Sequence, residues 1–398
     1  MQSNSSYLEY FILTLSLCLG AISTALASPL YSIYMQEWQI TTSQISYAFT
    51  SYMFGVVFTL LFLNGLIGLI GFKKTTMIGL VISILGLFYS AFAPNILHLC
   101  LARFLIGMSS GLLCTATLVG LAKTYPFANK RNADKASAML TVFGFGLGPL
   151  VGGMIADHSL TPLVMPYTII AGFSLLALIG CLFIHNEPTS PLLMSKKKIW
   201  NSPASSINKS LFWAAGISAA CCFASFSLYA ALAGSFIEKL PLPKSATLVG
   251  ASIAIILFIS AITQFTSKKM AEFFSIKLGL MTLILACISL LAAQSIQSNL
   301  CLVLSVFLMG VGHGLTTAPA YYFIGQISNR EGKSNIFSSF LLIGYQGTIW
   351  PVLLCSVLID HFGVIFAIVC FCILIAMGAG WVFTVLTAKL KAQLQHQL

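Results

Sequence analysis

Four ionisable side chains stand out in this apolar chain: Arg103, His313, Asp157 and Asp360. Arg103, in "LARFLIGMSSG", lies about six residues into an apolar run that starts near Ile96, roughly 9 Å deep at a rise of about 1.5 Å per residue. A charge at that depth is costly and needs a partner or water. The nearest acidic residue of the first apolar run, Glu9, stands at its start and is too shallow to pair with it. Arg103 is therefore either a working charge or a structural arginine capped by backbone carbonyls. His313 sits in the middle of a later run, in "GVGHGL". An imidazole changes charge near neutral pH, so it could carry a proton where no carboxylate is buried. The competing reading is a hydrogen-bonded core histidine. Asp157 and Asp360 close two other runs, where they could line or gate a mouth or simply meet solvent.

The elements that must position these residues are set by composition. Charged residues make up 7% of the 398 and hydrophobic ones 58%, against about a quarter charged in soluble domains. Such a chain cannot cover a soluble core with charge, so an all-α membrane protein is expected. Apolar runs of about 20 residues give twelve transmembrane helices, starting near Tyr7, Ile45, Thr75, Ile96, Ala136, Pro162, Leu211, Thr247, Ser275, Asn299, Ser334 and Val364. Of 20 Lys and Arg, 17 fall in alternate loops or the C-terminal tail, so the net charge of +11 reads as topology and no nucleic-acid partner is expected. The positive-inside rule puts both termini in the cytoplasm, in a bacterial cytoplasmic (inner) membrane. The first run, which no Lys or Arg precedes, is taken as a retained helix although "ALA" before Ser28 imitates a cleavage site. Eleven cysteines, all in apolar runs and without a CxxC pair, behave as small hydrophobes; no metal is expected.

The chain also repeats itself. "FLIGMSSGL" from Phe104 matches "FLMGVGHGL" from Phe307, an offset of 203 residues. The same offset relates Asp157-His158 to Asp360-His361, Gly144 to Gly347 and Lys74 to Lys277. The expected organisation is two pseudo-symmetric six-helix bundles, residues 1–186 and 210–398, joined by a cytoplasmic linker, 187–209. Duplicated halves of this kind are a transporter architecture, with substrate held near the midplane at their junction.

One run is unusually poor in helix formers. "VFGFGLGPLVGGMIADH" places Gly144, Gly148 and Gly152 every four residues, with Pro149 and Gly153 beside them. Small residues let helices touch where the bilayer offers no hydrophobic drive, and a proline permits a bend. The segment reads as a hinge and contact surface that closes one side of a cavity.

These residues resemble the major facilitator superfamily, and the resemblance is closest to its twelve-helix drug/proton antiporters. Gly144, Gly148, Pro149, Gly152 and Gly153 fit the antiporters' fifth-helix pattern G-x-x-x-G-P-x-x-G-G; Arg103 and Gly107 fit the fourth-helix R-x-x-x-G. The loop between helices two and three departs from the family's G-x-x-x-D-R-x-G-R-K. Gly71, Lys73 and Lys74 survive in "NGLIGLIGFKK", but Gly68 and Leu69 replace the Asp–Arg latch, so that latch is weakened or rebuilt. The resemblance implies that Arg103 steers proton coupling or substrate charge. It implies cavity-lining residues on helices one, four, seven, ten and eleven: Tyr31, Tyr34, Thr115, Tyr229, Tyr321, Tyr345 and Gln346, with Ser28 and Ser225.

The expected activity is secondary active transport: proton-coupled export of small amphipathic organic compounds by alternating access. The alternative is an uptake permease for a nutrient or metabolite. No phosphate-cradling loop for ATP is present and nothing in the chain argues for an enzyme. The expectation is a monomer in the lipid bilayer that takes a small-molecule substrate, needs no cofactor and draws on the proton gradient.

Overall fold

A computed structural model describes residues 2–63, 65–126, 133–185, 203, 206–238, 240–331 and 335–395. Most of the expected linker, 187–209, lies outside them. The described chain is all-helical: α1 (Gln2–Ala25), α2 (Tyr31–Trp38), α3 (Thr42–Phe58), α4 (Leu66–Ala91), α5 (Ile96–Thr124), α6 (Ala133–Asp157), α7 (Met165–Cys181), α8 (Ser206–Glu238), α9 (Ala246–Thr266), α10 (Glu272–Ser295), α11 (Asn299–Glu331), α12 (Asn335–Phe362) and α13 (Val364–Gln395). Counting α1 and α2 as one broken span, eleven stretches among the described residues are long and apolar enough to cross a membrane. The twelfth, α7, has 17 residues and spans about 26 Å at about 1.5 Å per residue. It is shorter than the expected run from Pro162 because residues 161–164 form a turn and Pro166 stands in its first turn.

Local chemistry explains the breaks. Pro29 has no N–H to give the carbonyl four residues back, so α1 stops at Ala25, a 3₁₀ turn covers Ser28–Leu30, and α2 resumes at Tyr31. Gly71 takes φ 82° and ψ 164° inside α4, a conformation glycine adopts without strain. The loop sequence "GLIGLIG" is thereby helical and turns into the span at Phe72, close to the expected start at Thr75. Thr41 caps α3 through a full capping box with Gln44, and Asn95 caps α5 by accepting from the amides of Leu97 and His98.

The chain divides into two compact units, one of Met1–Lys196 with Pro243–Leu257, the other of Lys197–Leu242 with Phe258–Leu398. In the first, α1 packs on α5, α6 and α7, and α4 packs on α5 and α7. In the second, α8 packs on α11, α12 and α13, and α10 packs on α11 and α13. Each of these five pairings has its counterpart in the other unit. Helix α5 starts at Ile96 and α11 at Asn299, the same offset of 203 that relates the sequence motifs. Helix α9 is the exception to a simple halving, because its first half clusters with the first unit.

Candidate functional site

In the first unit the chemistry gathers around Arg103, which is 1% exposed. The break at Pro29 leaves the last-turn carbonyls of α1 without helical partners, and Arg103 Nη2 donates to one of them, Thr24 O, at 2.8 Å. The guanidinium also lies 5.2 Å from the centre of the Tyr52 ring on α3, a cation–π geometry. The hydroxyls of Tyr31, Tyr34 and Tyr167 all lie in its field. Tyr34 donates to Tyr167 Oη and to Ser90 O, each at 3.4 Å. Arg103 Nε and Nη1 make no further hydrogen bond of good geometry among the described residues, but the Tyr31 hydroxyl stands close enough to the guanidinium to interact with it. One corner of the arginine is thus capped by a carbonyl, and the rest lies among the Tyr31 hydroxyl and the Tyr52 ring. Glu9 does not approach this cluster. It accepts from the backbone N–H of His185 at 3.0 Å and pairs with its ring Nδ1 at 2.6 Å.

In the second unit His313 on α11 is 9% exposed and is held at one nitrogen. Its Nδ1 lies 2.7 Å from Ser260 Oγ and 3.3 Å from Thr317 Oγ1. Gln264 Nε2 donates to Ser260 Oγ at 3.1 Å, which fixes the serine on α9. The Phe226 ring stands edge-on at 5.7 Å. Nδ1 is thus tied both to α9 and to its own helix. Gly314 places the helices close enough for this, since a Cβ there would lie 2.6 Å from Ser260 O.

The glycine run of α6 turns out to have two faces. A Cβ at Gly144, Gly148 or Gly152 would meet α1 and the residue beyond it: Ala21 Cβ at 2.8 Å, Ile22 O at 2.8 Å and Leu26 O at 2.4 Å. Pro149 and Gly153 instead meet α9: a Cβ at Gly153 would lie 2.3 Å from Ala246 O, and one at Gly250 2.1 Å from Pro149 O. The four-residue stripe is therefore a seam with the first span, and the contact with α9 belongs to the proline face. Gly347, the repeat partner of Gly144, packs on Ala220 of α8, so the seam recurs in the second unit. Gly107 sits against α3, where a Cβ would be 2.0 Å from Tyr52 O; this backbone approach brings Tyr52 beneath Arg103.

The remaining candidates have defined surroundings. Thr115 bonds back to Gly111 O at 2.8 Å. Tyr229 is buried against Ser305. Tyr321 packs between Phe337 and Phe340, at 5.7 and 5.3 Å, beside an apolar cluster of α8, α11 and α12 that includes Phe212, Ala219 and Ile324. Tyr345 stacks at 6.2 Å on Phe223, and Gln346 Oε1 accepts from Trp350 Nε1 at 2.7 Å. Lys73 Nζ donates to Leu182 O at 3.3 Å and Ile184 O at 2.5 Å, gripping the end of α7, while Lys74 is exposed. Asp157 accepts from Ser245 Oγ and from the amides of Ala246 and Thr247, whereas Asp360 is exposed. Sequence reasoning missed Thr24, Tyr52, Tyr167, Ser260 and Gln264. Only Pro29 signalled the free carbonyl; the others depend on which helices meet.

The Major Facilitator Superfamily profile matches residues 13–350. The riboflavin transporter RibZ of Clostridioides difficile is 25% identical over 173 residues, 42% of this chain and 38% of that protein. The quinolone resistance protein NorA of Staphylococcus aureus is 24% identical over 205 residues, 51% of this chain and 52% of that protein. The aligned stretches thus span about half or less of these relatives. A crystal structure of a POT family transporter in complex with 5-aminolevulinic acid superposes with a TM-score of 0.76 at 13% identity, covering 95% of both chains. That likeness is one of fold.

Proposed function

As the chain belongs to the major facilitator superfamily, an integral membrane family of transporters and not of enzymes, we propose that it exports small amphipathic organic compounds in exchange for protons, by alternating access. The observation that carries this reading is that the two ionisable side chains buried within apolar spans, Arg103 and His313, are held by neutral groups and by no carboxylate among the described residues. His313 takes and releases the proton, and Arg103 supplies the fixed positive field against which an anionic or polar group is weighed. The similarity to a quinolone resistance protein supports an amphipathic substrate, and the antiporter-type glycine–proline run of α6 supports exchange. Both termini are taken as cytoplasmic and the membrane as a bacterial inner membrane, on the distribution of Lys and Arg. The protein acts as a monomer, with no cofactor besides the proton gradient.

The test is transport in proteoliposomes with an imposed pH gradient, using ethidium and a fluoroquinolone as probes. Probe should move against the proton flow, and collapsing the gradient should stop it. Flux indifferent to the gradient overturns the proton exchange. The second reading is a metabolite permease, favoured by the similarity to a riboflavin transporter. Accumulation of riboflavin down its own gradient, with no response from the two drug probes, would establish it instead.

A further inference from the structure

A serine inside a helix commonly bonds to the carbonyl four residues back. On α8, Ser218 Oγ donates in this way to Ala214 O at 2.7 Å and Ser225 Oγ to Cys221 O at 2.8 Å. Ser260 on α9 makes no such bond among the described residues. Its Oγ meets His313 Nδ1 at 2.7 Å and Gln264 Nε2 at 3.1 Å. An amide nitrogen can only donate, so the Gln264 N–H takes a lone pair of Ser260 Oγ. The serine proton is then left with one acceptor at close range, the lone pair of Nδ1.

The other hydroxyl beside the ring does not compete. Thr317 Oγ1 donates to His313 O, one turn back on α11, so it offers Nδ1 only a lone pair, and from 3.3 Å, beyond the usual range. Cys222 on α8 is the titratable side chain bonded into this group, 3.5 Å from Thr317 Oγ1 and 3.7 Å from His313 O. Helix α11 packs on α8, α10 and α12 and meets α9 at Gly314. From none of them does a charged side chain among the described residues act on the imidazole. Its protonation pattern is left to neutral hydrogen bonds.

We infer that Gln264 and Ser260 are positioning residues that set the tautomer of His313: the neutral ring keeps its proton on Nε2 and receives the second one at Nδ1. The inference rests on the reading of His313 as the proton carrier. Once Nδ1 is protonated it becomes a donor, and Ser260 Oγ must accept from it and from Gln264 together. The serine proton then has to turn away, and a carbonyl one turn back on α9 has a spare lone pair for it. Proton binding therefore swings one hydroxyl between two acceptors, Nδ1 in the neutral state and its own backbone in the charged one. Ser260 and Gln264 keep their protons; the ring alone gains one.

Nitrogen NMR of the purified full chain, labelled at histidine, reads the tautomer directly, with the His313 signals assigned as those missing in His313→Gln. In its neutral form the wild-type ring should show a protonated Nε2 and an unprotonated, hydrogen-bonded Nδ1. Gln264→Ala frees Ser260 Oγ to accept from the ring, and the tautomer ratio should move about fivefold toward Nδ1–H, the worth of one hydrogen bond. Ser260→Ala should move it the same way, while Ser260→Thr, which keeps the hydroxyl, should retain the wild-type pattern. In proteoliposomes the pH midpoint of ethidium transport should shift in both alanine variants and stay in place in Ser260→Thr. A wild-type ring protonated at Nδ1 overturns the inference. So does a tautomer unmoved in both alanine variants, or a moved tautomer with an unmoved midpoint, which would make the two residues packing partners only. A wild-type protein that moves no probe overturns the proton-exchange reading, and the spectrum still decides what sets the tautomer.

Discussion

At the scale of single residues, the two buried polar clusters obey one rule: a polar group inside an apolar bundle must find partners, and where it finds too few it is available for work. Arg103 spends one nitrogen on the Thr24 carbonyl and lies beside the Tyr31 hydroxyl and over the Tyr52 ring. Its structural and functional readings are therefore compatible, since the carbonyl orients the side chain without neutralising its charge. Arg103→Lys keeps charge but loses the planar fork, and Arg103→Gln loses both. Initial-rate transport should fall about tenfold or more in the glutamine variant and less in the lysine variant. Full activity in both, with normal insertion, would make the arginine structural alone. His313→Gln retains a donor and an acceptor toward Ser260 but cannot titrate. Probe binding should survive in this variant while the response of transport to the pH gradient disappears; a preserved response removes His313 from the proton path.

At the scale of elements, the fifth span shows how glycine spacing becomes geometry. Its four-residue stripe seats on α1 and its proline face on α9, so one helix makes two contacts of different character. Gly152→Ala would place a methyl 2.4 Å from Leu26 O, and backbone cannot retreat as a flexible side chain can. Overpacking of this kind costs about 1–3 kcal/mol, which should appear as a lowered thermal midpoint in detergent. The same change at Gly172, where no atom lies within 4 Å, should leave the midpoint unmoved. Equal effects at both sites would mean that helix propensity and not close approach governs α6. Pro29 acts at this scale too, since the break it makes in the first span is what hands Thr24 O to Arg103.

At the scale of the whole molecule, eleven long apolar helices and the shorter α7 among the described residues repeat the same helix pairings in a chain of the major facilitator superfamily. Only ligands that bind the folded form raise its apparent stability. Purified protein screened thermally against amphipathic drugs and against riboflavin should be stabilised by the first group under the export reading and by the second under the permease reading. The membrane class, the number of apolar helices to within the short α7, the starts of α5, α11 and α13, the repeat and the family were legible in the sequence. Hydropathy is a property of chain segments, and duplication leaves matching residues at a fixed offset. Which donors of Arg103 are spent, that Ser260 and Gln264 hold His313, that the glycine stripe faces α1 while Pro149 faces α9, and that Asp157 caps α9 were decided only by the tertiary structure. Each of these depends on the distance between helices far apart in the chain. Such distances are set by packing of whole faces, and no local pattern of residues encodes them.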